Sequence, residues 1–208
     1  VRGAMEHATL IAYPAGVGLG GVDFGQNRLM AHELAHHWFG NMVTVEAPSE
    51  MWFKEGNAEY GAHLFTEFAE GEIFFQSQVK NNHKTVMRTA HIDDNGYQAL
   101  SGMPFEHTYG THTYYRGASM IHNMRGYLGD SLFRVGQQAI LNQLLYQSAG
   151  ADSYEPIISQ ATGVDMSHFF DDWIRSPGYV AYEAGVMESV PSGNGYSVSV
   201  PIEQKLRA

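Results

Sequence analysis

His32-Glu33-Leu34-Ala35-His36 carries the most chemistry in this sequence. On a helix, two histidines four apart stand on one face, one turn from each other. Their imidazole nitrogens can then share one tetrahedral Zn²⁺. Glu33 follows the first histidine directly. It sits beside such a metal rather than on it, where its carboxylate can take a proton from a metal-bound water. A hydrolytic site needs a third protein ligand and an open fourth position. Glu55 supplies that ligand, 19 residues after His36, in Trp52-Phe53-Lys54-Glu55-Gly56-Asn57-Ala58-Glu59-Tyr60. Glu59 lies one turn beyond Glu55 on the same face, placed to accept the other ring N–H of His32 and fix its tautomer. His37 points about 100° away from the pair and is assigned to packing or solvent. A polar stripe on a surface helix is the bland alternative. Leu29, Met30, Leu34, Ala35, Trp38 and Phe39 argue for a core helix instead, where unpaired histidines and a glutamate would be costly.

Composition narrows the remaining classes. The chain has 208 residues, 44% of them hydrophobic, enough for one domain with a sizeable core and too apolar for a disordered protein. No run approaches the roughly 20 apolar residues of a spanning helix, so no transmembrane segment is expected. Twelve Lys+Arg against 22 Asp+Glu, with no basic cluster, argue against nucleic acid as a partner. With no cysteine, a tightly held transition metal must use His, Asp or Glu. His83, His91, His107 and His112 fall in or near one loop, but no ligand spacing among them supports a second metal.

Several elements must position these groups. A short strand is expected over 8–13, ended by Pro14. The run Gly16–Gly21 lacks the context of a phosphate-binding loop and reads as a connection. The zinc motif belongs to a helix from Asn27, as N-cap, to Phe39, stopped by Gly40-Asn41. Val43–Val45 reads as a short strand or turn. A second helix from Ser49 or Glu50 to Phe68 carries Glu55 and packs back on the first. A third spans 72–88, a long loop 91–112, and further helices 113–128, 131–147, 152–162 and 166–174, with Gly129, Gly150 and Gly163 as breaks. Tyr196–Val200 alternates like a strand.

His-Glu-x-x-His, 18 intervening residues and then Glu resembles the gluzincin metallopeptidases, in particular the aminopeptidase N and leukotriene hydrolase family. Three further stretches agree. Gly3-Ala4-Met5-Glu6-His7 is similar to the family's Gly-Ala-Met-Glu-Asn exopeptidase motif. Tyr114-Tyr115-Arg116-Gly117-Ala118 is similar to its Tyr-x-Lys-Gly-Ala motif. Phe169-Phe170-Asp171-Asp172-Trp173, with Pro177-Gly178-Tyr179, looks like the end of its catalytic domain. The resemblance implies one Zn²⁺ per chain on His32, His36 and Glu55, with Glu33 as general base and Glu59 behind the ligands. It implies that Glu6 holds the α-amine of a peptide with a free N-terminus, with Gly3, Ala4 and Met5 beside it. It implies that Tyr114, not Tyr115, hydrogen-bonds the tetrahedral intermediate. His7 for Asn and Arg116 for Lys depart from the family's motifs; the second keeps the charge and changes its geometry.

The expected activity is zinc-dependent removal of the N-terminal residue from peptides. Other readings stay open on the residues alone: a silent metal- or peptide-binding module, an endopeptidase, or an epoxide hydrolase on the same site. The intact base and ligands argue against the first, and Glu6 against the second. By resemblance the fold is α+β, mostly α: a thermolysin-like (zincin) catalytic domain with a small N-terminal sheet and a helical C-terminal half. Residues 1–180 are expected to form that domain, N-terminally truncated, and 181–208 to begin a β-rich segment. The bare ends suggest an excised piece of a longer chain with further domains.

Overall fold

The computed structural model describes residues 3–17 and 24–207. The glycine-rich connection expected over 16–21 lies, from residue 18 on, outside the described residues. The small N-terminal sheet is a hairpin: β1 (Met5–His7) pairs antiparallel with β2 (Leu10–Ala12), with Glu6 opposite Ile11. Glu6 therefore stands inside a strand rather than ahead of one, and the strand expected over 8–13 is its partner, trimmed to three residues.

Helix α1 (Phe24–Ala35) carries the zinc motif. It starts three residues before the expected Asn27. Its regular part ends at Ala35, not Phe39, and His36 opens a looser turn closed by Asn41 N–H to His36 O at 2.9 Å and Met42 N–H to His37 O at 3.1 Å. β3 (Thr44–Val45) then pairs in parallel with the later β4 (Ser148–Ala149).

Helix α2 (Met51–Ala69) is the axis of the molecule. Trp52, Phe53, Ala58, Tyr60 and Ala62 are all buried, so apolar faces meet neighbours on nearly every side. One row is polar: Glu55, Glu59 and His63, four apart, are buried along a single stripe facing α1. Such a stripe in a core demands partners.

α3 (Glu72–Thr85) runs through a π-helical turn, Val86–Ala90, into the short α4 (His91–Asp93), which moves the start of the long loop a few residues on. A second π turn, His112–Arg116, leads into α5 (Gly117–Gln143). The break expected at Gly129 is present: its φ of 75° bends α5 into two arms, a backbone angle that glycine adopts without strain. α6 (Ala151–Thr162) and α7 (Ser167–Phe170), the latter extended by a third π turn, Asp171–Arg175, complete the helical part.

The core is an aromatic nest. Trp52, Phe53, Tyr154 and Phe170 meet with ring centroids 5.4–6.5 Å apart, joining α2, α6 and α7. Beyond it the chain turns to strands: β5 (Tyr179–Ala184) pairs antiparallel with β8 (Ile202–Arg207), and β6 (Glu188–Ser192) with β7 (Gly195–Ser199), nested inside. No described helix is long and apolar enough to cross a membrane.

Candidate active site

Three side chains from two helices converge. His32 Nε2 lies 3.1 Å from His36 Nε2, and Glu55 Oε2 lies 3.4 Å and 3.2 Å from these two nitrogens. The far side of each ring faces an acceptor. His36 Nδ1 donates to the Phe39 carbonyl at 3.0 Å, and His32 Nδ1 faces Glu59 Oε2 at 3.3 Å. With both rings neutral and protonated on Nδ1, each Nε2 would be a lone pair, and three acceptors would face one another with no donor between them. Glu55 Oε2 is buried without a hydrogen-bond partner.

Such an arrangement calls for a positive charge at its centre. Burial opposes a charge on His32, but Glu55 and Glu59 outweigh it and push that imidazole up to about 9. The donor set fits a metal better than a proton. A tetrahedral Zn²⁺ with arms of about 2.0–2.1 Å has ligand–ligand edges of about 3.3 Å, close to the three distances here. Burial likewise opposes the Glu55 charge, yet both histidines and Lys54 hold its carboxyl far below the usual range. Glu59 is held at about 2: burial works against it, His32, Arg28 and His63 for it.

Close backbone contacts bring the helices near enough. A Cβ on Gly61 would stand 2.7 Å from Ala35 Cβ, and one on Gly56 would stand 2.9 Å from Gly117 Cα. The first contact seats α2 on α1. The second seats α2 on the turn bearing Tyr114, beside Glu55. Gly56 and Gly61 carry no signal of their own in the sequence, because only the partner segment makes glycine necessary.

Tyr114 stands in the His112–Arg116 π turn, its ring stacked on His32 with centroids 6.0 Å apart. Burial, and then the Glu55 charge, hold its hydroxyl protonated well above the ordinary tyrosine value. π turns recur at functional sites because they re-aim one side chain within a helix. The turn itself is anchored by Asp94, which accepts from the backbone N–H of Thr111 at 3.1 Å and of His112 at 2.7 Å, and from His112 Nδ1 at 2.7 Å. Arg116, the departure from lysine, is buried and donates to three carbonyls on two segments: Gln98 in the long loop, and Trp173 at 3.1 Å and Ser176 at 3.0 Å at the end of the third π turn. One guanidinium fork can serve three directions at once, which an ammonium does less well.

Glu33 is 4% exposed. Burial raises its carboxyl; His32 and His36 oppose the rise, while Glu6 and Glu55 add to it. Glu6 reaches the same region from β1, its carbonyl held by Asn41 Nδ2 at 3.0 Å. Its carboxylate meets Lys54 Nζ at 2.5 Å. Burial opposes the Glu6 charge, and Lys54 and His36 lower its carboxyl despite that. Of its neighbours, Gly3 and Met5 are exposed and Ala4 half-buried; His7 points to solvent.

All ten residues singled out in the sequence are thus described, and His32, Glu33, His36, Glu55, Glu59, Glu6 and Tyr114 come together. Lys54 and Arg28, the latter paired with Glu59, join them without having been singled out. Their signal was weak, since a lysine or arginine on a helix is most often at the surface. Among the described residues, no group able to hold a metal includes His83, His91, His107 or His112.

Comparison with known proteins identifies the family and the fold. The peptidase family M1 domain matches residues 2–173. A leucyl aminopeptidase of Saccharolobus solfataricus is 30% identical over 157 residues, covering 73% of this chain and 20% of the relative. An aminopeptidase N of Lactococcus lactis is 28% identical over 167 residues, covering 77% of this chain and 20% of the relative. The chain therefore spans about a fifth of the length of the curated relatives it matches. The crystal structure of an M1 zinc metallopeptidase from Deinococcus radiodurans superposes with a TM-score of 0.71 at 22% identity, over 84% of this chain and 37% of that one, a likeness of fold. With 172 of its 208 residues inside the family's match (173 − 2 + 1), the chain belongs to peptidase family M1.

Proposed function

We propose that this chain is the catalytic part of a zinc aminopeptidase that removes the first residue from peptides with a free N-terminus. The observation that carries the reading is the convergence of three buried ligand atoms from two helices, His32 Nε2, His36 Nε2 and Glu55 Oε2, within 3.1–3.4 Å of one another. His32, His36 and Glu55 would hold the zinc, with Glu59 and the Phe39 carbonyl fixing the two rings. When bound, zinc supplies Lewis acidity, which brings the pKa of water toward neutrality.

The chain's own groups do the rest. The Glu33 carboxylate takes the proton of the attacking water and returns it to the departing amine nitrogen. Its burial among other carboxylates favours this, because a raised carboxyl is a better base. The Tyr114 hydroxyl, held protonated, donates to the oxyanion. Glu6 holds the substrate's α-ammonium, with Gly3, Ala4 and Met5 flanking it, so the first carbonyl is the one presented. Residues 181–208 belong, on this reading, to the start of a β-rich segment, and further domains of the same polypeptide would complete the substrate walls.

The test uses purified protein with its zinc counted by elemental analysis. One zinc per chain is expected, with release of p-nitroaniline from leucine p-nitroanilide and none from its N-acetyl derivative. Glu33→Gln should retain zinc and lose about a thousandfold in kcat/KM. A chain without zinc after mild purification overturns the metal reading, and efficient cleavage of the acetylated substrate overturns the exopeptidase reading.

A further inference from the structure

Lys54 stands between two carboxylates from different parts of the chain. Its Nζ is 2.5 Å from Glu6 Oε1 on β1 and 3.1 Å from Glu55 Oε1 on its own helix. Its side chain is only 14% exposed, and an ammonium so placed needs paired charges, which these two acids provide. There is little room for it elsewhere: a Cβ on Gly40 would fall 3.3 Å from Lys54 Cε and 3.0 Å from His36 O.

Two consequences follow for the acids. With Oε1 turned to Lys54, Glu55 presents Oε2 alone to the two histidines. With its Oε1 on the same ammonium and its carbonyl on Asn41, Glu6 is held at both ends. A single side chain thus spans from the strand carboxylate to the histidine–glutamate cluster.

We propose that Lys54 is a positioning residue that yokes Glu6 to Glu55 and so sets the span between the amine-holding carboxylate and the metal-binding cluster. It rests on the roles proposed above for Glu6 and Glu55. Because Lys54 shares Glu6 with an incoming α-ammonium, it weakens amine binding in the ground state. In return it fixes where the amine sits, which aligns the first carbonyl and no other with the reacting groups.

Lys54→Met keeps the length of the stem and removes the charge. In leucine p-nitroanilide hydrolysis, KM should fall at least about threefold, since the substrate becomes the only cation on Glu6, while kcat falls at least about tenfold because the amine is no longer held in one place. A merely structural lesion would raise KM. Lys54→Arg, which keeps a cation between the acids, should return kcat to within about threefold of the unsubstituted protein. A second readout needs no turnover. With Co²⁺ in place of zinc, Lys54→Met frees Glu55 Oε1 to join the metal, and the visible absorption should weaken as coordination rises above four, whereas Lys54→Arg should leave it unchanged.

Unchanged kcat, KM and cobalt spectrum in Lys54→Met would overturn the proposal while leaving the aminopeptidase reading standing. If the unsubstituted protein cleaves neither substrate, the function reading fails, and the cobalt spectrum alone decides whether Lys54 constrains Glu55. Should Lys54→Met not fold, Lys54→Gln, polar and uncharged, is read by the same two criteria.

Discussion

Glu50 and Glu55 lie five residues apart at the head of one helix, and both are buried, at 6% and 3% exposure. Their surroundings differ in kind. Glu50 accepts from four neutral donors: Trp52 Nε1 at 2.9 Å, Ser101 Oγ at 2.6 Å, and the backbone N–H of Gly102 at 3.2 Å and Ala151 at 3.0 Å. It ties the start of α2 to the long loop and to the start of α6. Every lone pair has work within the fold. Glu55 has Lys54 on one oxygen, while the second faces two imidazole nitrogens and makes no hydrogen bond. The comparison separates two uses of a buried carboxylate. Satisfied by donors, it holds segments together; left facing acceptors, it awaits a cation.

The largest expected effect comes from Glu55→Ala. Zinc affinity should fall by at least about a thousandfold, which is about 4 kcal/mol. The metal-free protein should lose less stability than Glu50→Ala costs, because Lys54 keeps its second partner, Glu6, when Glu55 is gone. Titration with a zinc-competing chelator and calorimetry in chelator measure the two halves. A large loss of apo stability would erase the distinction between the two glutamates.

Glu50→Ala should show the opposite profile. Four donors lose their acceptor and at least two stay buried, for a cost of about 3–4 kcal/mol. At this chain length that lowers the melting temperature by about 10 °C. In protein that remains folded, zinc stoichiometry should be unchanged.

The stripe beyond Glu55 offers a pH test. Burial lowers the His63 imidazole to about 4, with Glu59 opposing and Arg28 and His122 adding to the fall. A depressed histidine is neutral in the folded state and binds its proton first when unfolded. Its stabilisation is complete above about pH 6.5 and drains away as the pH falls toward 4, by about 2–3 kcal/mol at pH 4.5. Denaturant midpoints between pH 7 and 4.5 should therefore decline, and His63→Phe should flatten that limb. An equally steep limb in the variant would assign the acid sensitivity to other groups.

Tyr114→Phe is the smallest. It removes one hydroxyl next to Glu55 and should lower kcat by about tenfold to a hundredfold, about 1.4–2.7 kcal/mol, with KM and zinc content nearly unchanged. A larger change in KM than in kcat would make the hydroxyl a ground-state contact.

Much of the site was legible along the chain. His32 and His36, and likewise Glu55 and Glu59, are spaced four apart, and helix geometry is local, so the common face within each pair needed no knowledge of the fold. Helix boundaries at Gly129, Gly150 and Gly163 were legible for the same reason. The end of α1 was not. Apolar residues through Phe39 continued the helical pattern, but Phe39 bridges to Val43 and the chain must turn to reach α2. Glu6 was placed before a strand rather than in one, because a three-residue strand has no periodicity to read.

The faces shared by His32 with His36, and by Glu55 with Glu59, were written in the sequence by itself, since each of these steps is a count of residues per turn. The tertiary structure alone decided that Lys54 faces Glu6, that Arg116 reaches three carbonyls, that Glu50 is a hub while Glu55 is not, and that Gly56 meets Gly117. These contacts join residues 18 to 101 positions apart, or assign opposite surroundings to like side chains at the head of one helix. Local propensity specifies the direction in which a side chain leaves the backbone. Which group it meets there depends on how the helices pack, and packing is a property of the whole core.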